Sequence, residues 1–175
     1  MVYTTFVMAV VLHGCEAWCI TAKLRSKLRV FHAQSARVLC SVSRYRQWRA
    51  RIATATLLED LSMPTIDVYV QRRQMAWLGR MACMDDDAIP WRMMTCWVYR
   101  KKLTKAERER LKRAGTLPWG RPEGAPEYTW GRGISDTLTK LNIPLDSWLD
   151  LATKDQGAEW RKQVLEEKLG QKPKK

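Results

Sequence analysis

Residues 65–84, "TIDVYVQRRQMAWLGRMACM", limit the fold more than any other stretch of this chain. Ile66, Val70, Trp77, Met81 and Met84 recur at the helical period and share one face, with Leu78 at its edge. Tyr69, Arg72, Arg73 and Arg80 fall on the other face, separated by the small residues Ala76 and Gly79, which would let a phosphate backbone come close. An amphipathic helix is marginal alone in water, so this one needs neighbours for its apolar stripe. A second such pattern joins Leu24, Leu28, Phe31, Ser35, Val38, Leu39 and Val42, with Arg29, Arg37 and Arg44 opposite.

Shorter helical segments surround these two. Residues 2–13 are apolar and stop at Gly14, and Thr21 suits an N-cap. Residues 52–61 form a short helix that Met63-Pro64 breaks, because proline disfavours helix in the residue before it. Thr104 and Glu107 make a capping box for a charged, exposed helix over 103–115. Nothing reads as a strand. The expected class is all-α: an irregular, thumb-like helical bundle over 1–100, a charged helix and Gly/Pro-rich linker over 101–133, and a small helical part over 134–175. Leu138, Ile143, Trp148, Trp160 and Val164 are among the apolar anchors of that last part.

Lys and Arg number 31 against 18 Asp and Glu, a net charge of +13. Such a balance favours polyanionic partners, since releasing condensed counterions drives binding. The densest basic stretch is "SRYRQWRAR", residues 43–51, which is expected as a loop. Arg44, Arg46, Arg49 and Arg51 interleave there with Tyr45 and Trp48. Arginines contact phosphates and rings stack on bases or sugars, although both rings serve equally well in internal packing. Arg44, Arg46, Trp48, Arg49 and Arg51, with Tyr69, Arg72, Arg73 and Arg80 of the long helix, form the expected nucleic-acid-binding set.

The five cysteines are odd in number and fall mostly in apolar segments. They suggest buried thiols in a reducing, intracellular compartment, nuclear or cytoplasmic. Phe6–Leu12 is too short to cross a bilayer, and no positive charge precedes it as a signal peptide requires. Neither a membrane nor secretion is therefore expected. A chain that opens almost directly on a core-like helix suggests the tail of something longer.

Acid is concentrated at Asp85, Asp86 and Asp87. Two-metal catalysis needs carboxylates converging from separate elements, and consecutive side chains diverge. The expected role is a turn or cap after a basic helix. His13, Cys15, Cys19, His32 and Cys40 lack the closely spaced pairs of a structural zinc site. No metal, cofactor, catalytic residue or small-molecule substrate is expected.

Five stretches in order resemble the thumb and tail of LINE-type non-LTR retrotransposon reverse transcriptases. "VVLHGCEAWCIT" (10–21) is similar to the segment opening the thumb, with Gly14, Glu16, Trp18 and Thr21 at matching positions and His13 replacing the usual Tyr. "LRVFHAQSARVLCSVS" (28–43) is similar to the helix that follows. "RRQMAWLGRMACMDDDAIP" (72–90) resembles Arg-Arg-x-x-x-Trp-Leu-Gly-His-x-x-Arg-Met-x-Asp-x-Arg-x-Pro, with Arg80 for the His, Cys83 for the Arg and Ala88 for the later Arg. "GRPEGAPEYTW" (120–130) and "LDSWLDLATKDQGAEWRKQV" (145–164) resemble the family's linker and closing helices. The palm of such enzymes carries Tyr/Phe-x-Asp-Asp upstream of this region, and this sequence contains no such motif. The resemblance implies a non-catalytic fragment binding RNA or an RNA–DNA template–primer and docking on a palm and fingers. The competing expectation is a small helical protein-interaction module, derived from a degenerate transposon, with no nucleic-acid role.

Overall fold

A computed structural model describes residues 2–85, 87–91, 130–145 and 147–170. The charged helix expected over 103–115 and all but the last four residues of the linker lie outside these. Every regular element among the described residues is helical. Tyr3–Val7 winds as a π-helix and continues into Met8–Val11, together α1. Gly14 turns the chain at φ 68°, a conformation that suits glycine, into a short 3-10 turn, Cys15–Ala17. Then come α2 (Ala22–Leu39), α3 (Arg44–Arg49), α4 (Thr54–Asp60) and α5 (Ile66–Ala82). Trp130–Lys140 forms α6 and Trp148–Thr153 forms α7. In α8, Ala158–Trp160 passes into the wider turns of Arg161–Lys168.

Local chemistry sets these boundaries. Thr21 Oγ1 accepts the Leu24 amide at 3.3 Å and Ser43 Oγ accepts the Arg46 amide at 3.1 Å, so both are N-caps. The ends of α2, α3, α4 and α6 share one Schellman closure. A left-handed residue (Ser41, Arg51, Ser62 or Asn142) is followed by an apolar residue whose amide reaches back five positions. Those four apolar residues, Val42, Ile52, Met63 and Ile143, all join a core.

There are two cores, and α5 belongs to both. Its first half, Ile66 and Val70, packs with Tyr3, Met8, Leu12, Leu28 and Leu57. Its second half, Met75, Leu78 and Met81, packs with Leu138, Trp148, Trp160 and Val164. Trp148 and Trp160 meet edge to face with centroids 6.3 Å apart. The Trp160 indole lies across α5 and donates Nε1–H to the Met75 carbonyl at 2.9 Å. A Cβ at position 79 would stand 2.5 Å from Trp160 Cδ1, so Gly79 is the gap that admits this ring.

The long helix therefore differs from its expected two-faced form. Gly79 is buried under Trp160, not lying open beside the arginines. On α2, the arc that contains Val38 and Leu39 is wider than the area α4 and α5 cover, and both residues are exposed. Helix α6 starts at Trp130, inside the glycine-rich stretch expected as linker.

Candidate nucleic-acid interface

The stretch expected as a basic loop is a helix. Residues 44–49 form α3 because Ser43 caps its start and Arg51, at φ 51°, closes its end. Gln47 fixes it to its surroundings. Its Nε2 donates to the Ile52 carbonyl at 3.1 Å and to Thr54 Oγ1 at 3.5 Å, while its Oε1 accepts from Arg37 Nη1 at 3.3 Å. No residue of α3 is buried. The helix hangs between Val42 and Ile52, the two partly buried residues that tie it to the first core.

Both aromatic residues of α3 face water. Trp48 is 76% exposed and Tyr45 65%, with ring centroids 6.4 Å apart and planes tilted by 37°. The rings are thus free of the core, which the sequence left open. An open groove runs beside Trp48, lined by Arg44, Trp48, Arg49 and Arg51 together with Arg37, Gln47 and Ile52. No carboxylate among the described residues lines it. Arg46 is exposed but points away from the groove, as its position half a turn from Arg44 and Trp48 requires. Arg37 was missed as a site residue. It comes from the preceding helix, and only the α2–α3 corner brings it to this groove.

The long helix contributes less than expected. Arg72 and Arg80 are exposed, and the Arg80 guanidinium lies 5.3 Å from the centroid of the Trp77 ring, a cation–π contact. Arg73 instead turns inward. Its Nη1 donates to the Leu12 carbonyl at 2.9 Å and stands 3.8 Å from Glu16 Oε1. With Gln74, which donates to the carbonyls of Cys15 and Trp18, and Trp130, which donates to that of Glu16, it fastens the Leu12–Trp18 turn. Tyr69 is also structural. Its ring stands edge-on to His32, and burial raises its hydroxyl pKa above the ordinary value. Sequence period put these residues on the polar face of α5, but the 10–21 turn and α2 lie against that face and take them up. Asp67 pairs with Arg29 at 2.7 Å and stands 3.3 Å from Arg25 Nε without hydrogen-bond alignment, which neutralises part of α2's basic side.

Among the residues weighed as metal ligands, His32 has both ring nitrogens engaged and Cys40 lies 3.8 Å from the Leu57 carbonyl. The carbonyl of Pro64 can only accept, so His32 Nε2 bears the proton shared with it at 3.1 Å. Nδ1 then accepts from the Tyr3 hydroxyl at 3.0 Å. Burial lowers the His32 pKa and favours this neutral ring. Burial also pushes the Cys15 thiol up to about 11, with Glu16 adding to it. Cys83, by contrast, is exposed, and its thiol lies 3.4 Å from the Ala152 carbonyl. The Asp85 carbonyl accepts the Ala88 amide at 2.9 Å; Asp86, between them, lies outside the described residues. Among the described residues no three His, Cys, Asp or Glu side chains converge as a metal site would need, and no helix is long and apolar enough to cross a membrane. No family model, no curated protein and no solved structure matches this chain.

Proposed function

We propose that this chain is the thumb-and-tail segment of a LINE-type reverse transcriptase, which grips RNA or an RNA–DNA template–primer and leaves polymerisation to a palm and fingers. The five ordered stretches from residue 10 to residue 164 support the family reading. The observation that carries the binding reading is the groove at α3: four arginines around an exposed indole, with no acid among the described residues that line it. Guanidinium groups suit phosphate oxygens through charge-assisted hydrogen bonds. Such contacts position a nucleic acid without reading its sequence.

Titration of a labelled RNA–DNA hybrid at rising salt tests this. Log K should fall linearly with log salt, with a slope of about −3.6 if all four arginines neutralise phosphates. A flat plot, or no binding at low salt, would reject it.

A protein-interaction module is the second reading. It is favoured by exposed apolar side chains on two helices, Phe6 and Val10 on α1 and Val30 and Val38 on α2. It predicts salt-insensitive association with another protein that Val38→Asp weakens.

A further inference from the structure

We infer that the α3 groove holds unpaired nucleotides, with a base stacked on Trp48, and so prefers single-stranded nucleic acid or a strand end over continuous duplex. The inference rests on the nucleic-acid reading of the groove and specifies what that groove selects.

An exposed indole is unfavourable in water, since burying an aromatic side chain contributes on the order of 2 kcal/mol. Helix α3 buries nothing, so Trp48 is not the outer edge of a packed residue. Its one ring contact among the described residues is Tyr45, tilted and itself exposed. Two open rings three residues apart offer a stacking surface. Arg44 lies one helical turn before Trp48, about 6 Å along the axis, and Arg49 and Arg51 follow it. Phosphates on either side of a stacked base would thus meet guanidinium groups. In a duplex each base face is already covered by its neighbours, so an indole finds a free π-face only where a base is unpaired. A groove for duplex backbone alone would need the arginines and not the rings.

The Arg37–Gln47 hydrogen bond holds the groove's far wall, and Gln47 also anchors α3. The platform is therefore pre-formed.

The test uses the full chain and three fluorescent probes at one salt concentration: a thymidine single strand of about ten nucleotides, an abasic strand of equal length, and a blunt duplex. The single strand should bind about tenfold tighter than the abasic strand, and Trp48→Ala should remove about that factor. Arg44→Gln with Arg49→Gln should weaken all three probes. Equal affinity for all three probes, unchanged in Trp48→Ala, would overturn the stacking inference while leaving phosphate binding intact. Binding to none would overturn both. Because Trp48 is exposed, Trp48→Ala should keep the wild-type melting temperature, and Trp48→Phe, which keeps a ring, should retain most of the preference for the single strand over the abasic strand.

Discussion

At the scale of single residues, Gly79 looks like an ordinary helical glycine in sequence and is not. Replacing an exposed helical glycine by alanine stabilises a helix by about 1 kcal/mol. Gly79→Ala should do the opposite, because the new Cβ meets the Trp160 ring and drives it off the Met75 carbonyl. The expected loss is about 2–3 kcal/mol, read as a lower denaturant midpoint. His32 sets a pH dependence. Its folded pKa lies below the ordinary value of 6.5, so the unfolded chain takes up a proton first as pH falls. Stability should be level above pH 6.5 and decline as pH drops through that value, and His32→Gln should flatten this limb. Among the cysteines of the described residues, thiol labelling at neutral pH should reach Cys83 first and Cys15 only as the protein unfolds, since the latter is buried and pushed up to about 11.

At the scale of elements, α3 shows how a six-residue helix persists without a buried face. Its stability comes from its ends: the Ser43 cap, the left-handed Arg51, and the Gln47 side chain. Ser43→Ala should cost about 1 kcal/mol locally, fray α3 and weaken nucleic-acid binding, with little change in global melting. The same closures give a stabilising change. Ser41 and Ser62 hold left-handed conformations that glycine adopts freely, so Ser41→Gly or Ser62→Gly should gain roughly 0.5 kcal/mol in a denaturant titration.

At the scale of the molecule, α5 is shared between two cores, so the N-terminal helices and the C-terminal ones stand on one spine. This placement separates arginines that the sequence groups together. Arg72→Glu with Arg80→Glu should lower hybrid binding and leave the melting temperature unchanged. Arg73→Glu should lower the melting temperature, because the Leu12 carbonyl loses its donor and a carboxylate faces Glu16.

Sequence alone determined what depends on near neighbours along the chain. Apolar residues at the helical period placed α2 and α5, Thr21 marked the cap of α2, and Pro64 marked the break before α5. The arginines of 43–51 stood out as a basic cluster for the same local reason. The α3 helix itself was hidden, since it has no apolar period to reveal it. Tertiary structure decided which cations are free and which rings are exposed. Arg37 and Arg73 carry the same side chain, yet one lines the groove and the other ties down a carbonyl 61 positions away. Gly79 and Trp160 show no relation in sequence, yet each has its place because of the other. A helix period states which side of a helix is polar. It does not state what comes to lie against that side, because that depends on segments distant along the chain.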